Sequence, residues 1–206
     1  MVSDNNCTPR DFSAKCTFVE RVFRAFKPQN VLDVGCNTGH FSFLAAKSGA
    51  RVVAIDQDPV VVGRVWRKAS SERLDILPLV IDLTRPSPAV GWLNRECRAF
   101  LDRARGGFDV VLMLAVLHHM LVNARIPLPE IIALAAELTT DLLIIEYVGP
   151  DDPLFRRLAR GRDHLFTDLT QSLFESTCRR NFQIAQVQRL GATARWIYLL
   201  TKNRTS

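Results

Sequence analysis

The sequence lacks long apolar runs, paired cysteines and low-complexity tracts. Its longest uninterrupted apolar run, residues 110–117, has eight residues, whereas a helix needs about 20 to cross a bilayer. The five cysteines are an odd number without a C-x-x-C pair, which argues against a disulfide framework or a zinc site and favours reduced thiols. The polar first segment, MVSDNNCTPRDF, predicts no signal peptide, and the short apolar runs predict no membrane partner. From the reduced thiols we expect a cytoplasmic protein without a metal.

Charge is also unevenly distributed along the chain. The 206 residues are 48% hydrophobic and 23% charged, which is enough apolar material for the core of one compact domain. The net charge is +6, and residues 151–206 hold ten Lys or Arg residues against five Asp or Glu residues. This excess allows an anionic partner such as RNA or a phosphorylated metabolite, and it equally describes a solvated basic surface.

Short apolar runs alternate with segments of helical periodicity along most of the chain. Predicted strands lie at 31–34, 51–55, 76–81, 108–114 and 142–148, predicted helices at 10–27, 40–47, 60–69, 94–105, 128–138 and 170–180, and a hairpin at 182–188 and 195–201. This pattern predicts an α/β fold with a doubly wound, Rossmann-like sheet, mostly parallel with an antiparallel C-terminal hairpin strand. We expect residues 1–29 to form an N-terminal helical cap and residues 30–206 to form the ligand-binding domain.

A glycine-containing loop follows the first predicted strand and leads directly into a helix. Gly35 and Gly39 let the backbone turn tightly and approach a ligand, and the helix start offers free N–H groups to an anion. The loop departs from the dinucleotide pattern G-x-G-x-x-G, because Asn37 stands where a second glycine lets pyrophosphate approach. The loop therefore predicts a nucleotide-type site and argues against a nicotinamide oxidoreductase.

Carboxylates occupy the ends of three predicted strands. Asp33 lies in the first strand end, Asp56 closes the second, 21 positions after Gly35, and Asp82 closes the third. An acidic residue at about the Asp56 spacing accepts hydrogen bonds from ribose hydroxyls, and Asp82 could accept one from an adenine amino group. The set suits a ligand with a ribose, an exocyclic amine and a positive charge, such as S-adenosylmethionine. Each Asp alone could equally be a helix cap or a turn residue.

These motifs carry a resemblance to a known family. DVGCNTGHF, the following Asp56 and Asp82, and FDVVLMLAVLHHM resemble the class I S-adenosylmethionine-dependent methyltransferases over residues 12–202. ILPLVIDLTRPSPAVGW, LAVLHHMLVNARIPL and IIEYVGPDDPLFRRL are similar to a bacterial subgroup labelled nodulation-protein NoeA-like methyltransferases. The resemblance implies S-adenosylmethionine as cofactor and S-adenosylhomocysteine as product. It implies contacts from Asp33, Gly35, Cys36, Asn37 and Gly39 at the methionine end, Asp56 and Gln57 at the ribose, Asp82 and Leu83 at the adenine, and Leu114 and Ala115 near the methyl group.

Three titratable residues on the later strand ends are the catalytic candidates. His118 and His119 follow the fourth strand, and an imidazole titrates close to neutral pH, so either could act as a general base or simply pack beneath the loop. Glu146 interrupts the apolar run LLIIEYV, where a carboxylate must be paired or lie at a ligand site. Asp151 and Asp152 follow it, but adjacent aspartates point in different directions, and we expect no metal there.

Trp92 and Glu96 are the candidate substrate residues, because they follow the Pro-rich loop after the third strand and could wall a pocket. The main hypothesis is a methyltransferase acting on a small-molecule acceptor such as a saccharide or a specialised metabolite. The alternatives are an RNA methyltransferase that uses the basic C-terminal region and a non-catalytic protein that binds S-adenosylmethionine. The sequence does not indicate the acceptor atom or the oligomeric state.

Overall fold

The strands form where the sequence has short β-branched and aliphatic runs. The computed structural model describes residues 9–191 and 193–203. The strands are β1 (Asn30–Val34), β2 (Arg51–Asp56), β3 (Ile76–Val80), β4 (Phe108–Met113), β5 (Thr139–Val148), β6 (Phe182–Arg189) and β7 (Arg195–Lys202). They form one sheet in the order β3-β2-β1-β4-β5-β7-β6, in which β7 is antiparallel to both of its neighbours and the first five strands are parallel.

The helices connect these strands and cover both faces of the sheet. They are α1 (Pro9–Phe26), α2 (His40–Lys47), α3 (Pro59–Glu72), α4 (Phe100–Ala104), α5 (Leu117–Val122), α6 (Leu128–Leu138), α7 (Pro153–Ala159) and α8 (Gln171–Cys178). Side-chain caps fix several starts: Asp58, Asp152 and Thr170 accept hydrogen bonds from backbone N–H groups in the first turns of α3, α7 and α8. Among the described helices, none has both the length and the apolar character needed to cross a membrane.

The chain reverses direction across the sheet between β1 and β4. β1 pairs with β2 on one side and with β4 on the other, so successive connections diverge at this point. In doubly wound sheets the crevice at the carboxyl ends of the strands, next to such a reversal, is the usual ligand site. The fold therefore directs attention to the loops after β1, β2, β3 and β4.

The two faces of the sheet are packed differently. On one face, α1 buries Phe18, Val19, Val22 and Phe23 in a cluster that includes residues of β1, β2 and β4. On the other face, α4, α5, α6 and α8 contribute to a larger cluster. α1 is thus part of the core of the sheet rather than a loose extension.

The structure confirms the predicted fold class and corrects several elements. Residues 94–105 were expected to be helical, but only α4 is helical there, because this polar segment lacks an apolar stripe to pack against the core. α5 and α7 are short helices that the apolar periodicity does not reveal. β3 is an edge strand with Leu77 55% and Val80 53% exposed, and an edge strand accommodates Pro78. Cys7 of the predicted reduced thiols lies outside the described residues, and Cys36, Cys97 and Cys178 are free thiols. Cys16 Sγ lies 3.1 Å from His40 Nε2.

Candidate functional site

The loop after β1 is held in a conformation that requires glycine. Gly35 and Gly39 have φ values of 69° and 81°, and the N–H groups of Gly35 and Cys36 both donate to the carbonyl oxygen of Ile55, at 2.9 and 3.0 Å. A Cβ atom at Gly35 would overlap a methyl group of Val116 from the loop after β4. The two loops therefore meet closely, and only glycine fits between them.

A cavity of about 470 Å³ opens at the carboxyl ends of β1, β2 and β3. Of the predicted site residues, Gly35, Asn37, Asp56, Gln57, Asp82, Leu83, Ala115 and His119 line it. The structure thus brings together eight residues that the sequence distributes over 85 positions. Ligand cavities of about 300–1,000 Å³ hold ligands of nucleoside size and larger.

Two of the three carboxylates on the cavity wall, Asp56 and Asp82, also organise their own loops. Asp56 Oδ2 accepts a hydrogen bond from the N–H of Asn37 at 2.9 Å, and Oδ1 accepts one from the N–H of Asp58 at 3.0 Å. Asp82 Oδ1 accepts hydrogen bonds from the N–H and hydroxyl of Thr84, at 2.9 and 2.6 Å. A carboxylate has about four acceptor positions, so both side chains retain capacity for a ligand.

Asp33 lies beneath the glycine loop rather than on the cavity wall. Its side chain is buried and accepts a hydrogen bond from Ser42 Oγ at 2.6 Å. Burial raises the pKa of Asp33 to about 6, against the opposing effect of the Ser42 hydrogen bond. Cys36, Gly39 and Leu114 likewise lie near the cavity without lining it, and burial raises the pKa of the Cys36 thiol above its usual value.

The two predicted histidines point into different surroundings. His119 lines the cavity, and its Nδ1 lies 3.3 Å from Asn123 Nδ2. Burial lowers the pKa of His119, and the Asp56 carboxylate opposes this effect. His118 is fully buried, and within the described part of the chain neither of its ring nitrogens has a hydrogen-bond partner. Burial, followed by the charges of His119, Arg195 and Lys15, holds the pKa of His118 well below its usual value.

Glu146 is part of a buried ionic cluster outside the cavity. Its Oε2 lies 2.8 Å from Lys15 Nζ of α1, and its Oε1 lies 3.6 Å from Arg195 Nη1 of β7. Arg195 also donates to both carboxylate oxygens of Asp152, at 2.7 and 2.9 Å. The carboxylate that interrupts the apolar run is therefore paired, and the pairing fixes α1 to β5. Lys15 lies 131 residues from Glu146 in the sequence, so no local sequence pattern predicts that the two side chains pair.

The remaining candidates are separated from the cavity. Asp151 is exposed and pairs with Arg156 at 2.7 Å, whereas Asp152 turns inward to Arg195. Across residues 9–191 and 193–203, no group of three or more His, Cys, Asp or Glu residues could hold a metal ion. Trp92 is 76% exposed, and Glu96 packs against Gly91. Neither lines the cavity, and their role toward a substrate stays a prediction.

Several cavity residues were not singled out from the sequence. Asp58, Val61, Thr84, Arg85, Val116, Met120 and Asn123 complete the wall. Most of them lie in the strand-end loops at 56–58, 82–92 and 115–126, where the topology predicts a ligand site. Their residue types alone do not indicate a ligand site, because the same residue types occur in loops and helices throughout the chain.

Comparisons with known proteins agree with this geometry. A family profile described as a methyltransferase domain matches residues 10–194. Nodulation protein NoeA of Rhizobium meliloti (strain 1021) is 30% identical over 202 residues, which are 98% of this chain and 42% of that protein. The 23S rRNA (uracil(1939)-C(5))-methyltransferase RlmD of Shewanella amazonensis (strain ATCC BAA-1098 / SB2B) is 36% identical over 80 residues, which are 38% of this chain and 18% of that protein.

A solved structure shares the fold over nearly the whole chain. The N-methyltransferase NodS from Bradyrhizobium japonicum WM9, in complex with S-adenosyl-L-homocysteine, superimposes with a TM-score of 0.66 at 14% identity. The similarity covers 97% of this chain and 90% of that structure. The chain spans less than half of the length of NoeA.

Proposed function

The chain belongs to the methyltransferase-domain family, and from this membership we propose that it transfers the methyl group of S-adenosylmethionine to a small-molecule acceptor. The observation that carries the proposal is the cavity of about 470 Å³ with Asp56 and Asp82 on its wall. The size of the cavity and the carboxylates of Asp56 and Asp82 fit a ligand that has ribose hydroxyls and an adenine amino group. NodS, whose structure contains S-adenosyl-L-homocysteine, has the same fold.

We assign the cofactor contacts along the strand ends. Asp56 and Gln57 would accept and donate hydrogen bonds at the ribose, and Asp82 with Leu83 would hold the adenine. The loop backbone at Gly35, Asn37 and Gly39 would let the methionine end of the cofactor approach closely. Asp33 and Cys36 would lie beneath this loop. Leu114 and Ala115 would lie near the methyl group. The bound cofactor supplies an electrophilic methyl carbon, and the protein must hold the acceptor in line with it and exclude water.

His119 is the residue that we propose for proton transfer from a protonated acceptor group. It is the histidine on the cavity wall, and its lowered pKa keeps the imidazole neutral at pH 7, which is the form that accepts a proton. The orientation of the Asn123 amide decides whether Nδ1 or Nε2 of the ring carries the hydrogen. His118, with its ring centroid 4.4 Å from that of His119, would orient His119 from behind.

Glu146 acts in this proposal as a positioning residue. Glu146 does not line the cavity. Its carboxylate pairs with Lys15 and Arg195, so it is not available to take a proton from a methyl acceptor. Through Lys15 it would hold α1, the described part of the N-terminal cap at residues 1–29, against the ligand-binding domain at residues 30–206. Loss of Glu146 would then act through the placement of α1 and not through proton transfer.

An RNA acceptor is the second candidate, supported by the similarity to RlmD over 80 residues and by the basic net charge of +6. The small-molecule proposal is favoured because the similarity to RlmD covers only 38% of the chain. A non-catalytic protein that binds the cofactor is the third reading. Transfer of labelled methyl groups to an acceptor, lost in His119→Ala, would exclude it.

Calorimetric titration with S-adenosylmethionine, S-adenosylhomocysteine and NADH tests the proposed cofactor. We expect micromolar binding of the two sulfur ligands and no binding of NADH. In Asp56→Ala the affinity should fall about tenfold to a hundredfold, because the variant removes a charged acceptor of ribose hydrogen bonds and of the Asn37 N–H. Tight NADH binding, or unchanged affinity in Asp56→Ala, would overturn the assignment.

Gly35→Ala and Gly49→Ala form a matched pair for the loop. Both glycines have positive φ, but a Cβ atom at Gly35 would overlap Val116, whereas nothing lies within 4 Å of one at Gly49. Both variants should lose roughly 1 kcal/mol of stability from backbone strain, and Gly35→Ala should lose more because Val116 must shift. Only Gly35→Ala should also abolish binding of S-adenosylhomocysteine, as measured by calorimetry.

A further inference from the structure

The segment between β3 and α4 forms an ordered finger, which we define as residues 85–98. Two backbone hydrogen bonds between Val90 and Cys97, at 3.0 and 3.1 Å, close its base. A single 3₁₀ turn at Trp92–Asn94 forms its tip, with the Asn94 N–H donating to the Gly91 carbonyl oxygen at 3.0 Å. The finger is therefore a defined turn with its own hydrogen bonds.

The backbone of the tip is held in an unfavourable conformation. Gly91, Leu93 and Asn94 have φ values of 89°, 53° and 57°. Glycine adopts positive φ readily and asparagine does so occasionally, so the cost of roughly 1–2 kcal/mol falls mainly on Leu93. Glu96 packs against Gly91, where a Cβ atom would overlap it. A strained conformation of this kind persists only where surrounding contacts impose it, and it is often found at binding sites.

This strained turn displays apolar side chains to water. Val90 is 50% exposed, Trp92 76% and Leu93 64%, so three large apolar side chains share one short finger. Arg95 and Arg98 of the finger are exposed, and Arg85 at its start is 89% exposed. With Glu96 as the one acidic residue of residues 85–98, the finger carries a net charge of +2. An apolar tip above a basic base is the arrangement by which peripheral proteins contact anionic membranes.

We propose that the finger docks on the surface of an anionic lipid membrane. Trp92 and Leu93 enter the boundary between headgroups and acyl chains, which Trp favours because its ring is amphipathic. Arg95 and Arg98 remain at the level of the lipid phosphates, whereas Arg85 pairs with Asp82 at the cavity, at 3.7 Å. The sequence analysis expected no membrane partner because it considered spanning segments, and a peripheral contact of this kind needs none.

The composition of the tip favours lipid over single-stranded RNA. RNA binding without sequence preference relies on flat aromatic rings on which bases stack, and the tip has one such ring. Its other large side chains, Leu93 and Val90, are aliphatic and offer no stacking surface. Insertion into lipid uses all three, whereas base stacking would use Trp92 alone.

Flotation with lipid vesicles tests the proposal on the purified full chain. We expect binding to vesicles of phosphatidylcholine with phosphatidylglycerol and little binding to phosphatidylcholine alone. Trp92→Ser should weaken binding about tenfold, because an indole no longer leaves water. Arg95→Gln with Arg98→Gln should weaken it by about fivefold per removed charge. In wild-type protein, the tryptophan emission should shift to shorter wavelength on binding, and in Trp92→Ser it should not.

Trp66→Ser is the matched control, since Trp66 is 60% exposed on α3, outside the finger. It should bind vesicles like the wild type. Equal loss in both tryptophan variants would overturn the proposal in favour of a general basic surface. Equal binding to both vesicle types, displacement by single-stranded RNA, or concentration-dependent self-association that Trp92→Ser removes would also overturn it. Unfolding temperatures establish that each variant is folded.

Discussion

The two halves of the sheet's carboxyl edge use acidic residues in opposite ways. At the ends of β1, β2 and β3, Asp56 and Asp82 line an open cavity and bind only backbone and hydroxyl groups or an exposed arginine. Near the end of β5 and the start of β7, Glu146 is buried and paired with Lys15 and Arg195. One half leaves its carboxylates available to a ligand, and the other uses its carboxylate to hold the protein together.

The difference arises from whether a cation from a distant element reaches the strand end. Lys15 arrives at Glu146 on α1, which crosses the sheet, whereas no comparable lysine lies among the residues that line the cavity. In a buried position an ion pair is required, because an unpaired charge there is very costly. An acidic residue at the end of a strand is therefore a ligand-site candidate only where the fold leaves it unneutralised.

The largest expected effect comes from breaking the ionic cluster. Glu146→Gln leaves the Lys15 ammonium, which is 5% exposed, without its carboxylate. The free energy of unfolding should fall by about 3–5 kcal/mol, as for other buried pairs from which one partner is removed. Chemical unfolding measures this loss, and the affinity for S-adenosylhomocysteine of the folded fraction should change far less.

Glu137→Gln is the matched control for the cluster. The Arg105–Glu137 pair has the same 2.8 Å separation as the Lys15–Glu146 pair, but both of its side chains are about half exposed. Solvent screens such a pair, so its removal should cost much less than removal of Glu146. Similar losses in the two variants would show that burial does not distinguish the two pairs.

A second prediction concerns how the buried Asp33 carboxyl group beneath the glycine loop makes the free energy of unfolding depend on pH. Burial raises the pKa of Asp33 from 3.8 to about 6, so the folded state binds the proton more tightly than the unfolded state does. This contribution to stability is present below about pH 4 and is lost as the pH rises through 6. Asp33→Asn should therefore exceed the wild type in stability by about 3 kcal/mol at about pH 8, with the gain disappearing near pH 4.

Unfolding curves of wild type, Asp33→Asn and Asp75→Asn at several pH values measure this effect. Asp75 is exposed in the turn before β3 and serves as the control. A gain in Asp33→Asn that is independent of pH would contradict the prediction. A gain at neutral pH accompanied by weaker binding of S-adenosylhomocysteine would show stability sacrificed for the ligand site.

The smallest predicted effect has the opposite pH dependence and belongs to the other half of the edge. Burial and the charges of His119, Arg195 and Lys15 lower the pKa of His118 well below 6.5, so the unfolded state binds the proton more tightly. Stability should therefore decrease as the pH falls below about 6.5, down to the folded-state pKa. In His118→Leu this acid-dependent loss should be reduced, as measured by the slope of unfolding free energy against pH.

His164 provides the control for this slope. It lies exposed in the turn after α7, so His164→Leu should leave the slope as in the wild type. An unchanged slope in His118→Leu would mean that another group causes the acid sensitivity. Asp33→Asn and His118→Leu therefore measure two contributions to the free energy of unfolding that change with pH in opposite directions.

The sequence was sufficient for the parts of the structure that depend on local pattern. β1, α2 and β2 lie within a residue or so of their predicted limits, because β-branched runs, a helical stripe and glycine stops mark them clearly. The position of the cavity followed from the same logic, since strand ends of a parallel sheet meet at one edge. Gly35, Asp56 and Asp82, which line the cavity, were selected in this way, and their contacts with a cofactor stay a prediction.

The surroundings of the three catalytic candidates were less predictable, because long-range contacts determine them. Glu146 was expected to be either paired or at a ligand site, and the choice depends on Lys15, which is far away in sequence and is most simply read as a solvated residue. His118 and His119 are adjacent in sequence, yet only His119 reaches the cavity. That separation depends on the start of α5 at Leu117, which the apolar pattern does not mark.

The Lys15–Glu146–Arg195 cluster also sets an order of events during synthesis and folding. Lys15 leaves the ribosome early, but Glu146 follows 131 residues later and Arg195 later still. At about 5–20 residues per second, α1 is present for many seconds before its ionic partner exists. Such distant contacts slow folding, and until β5 and β7 join the sheet, the apolar stripe of α1 is a surface that chaperones could recognise.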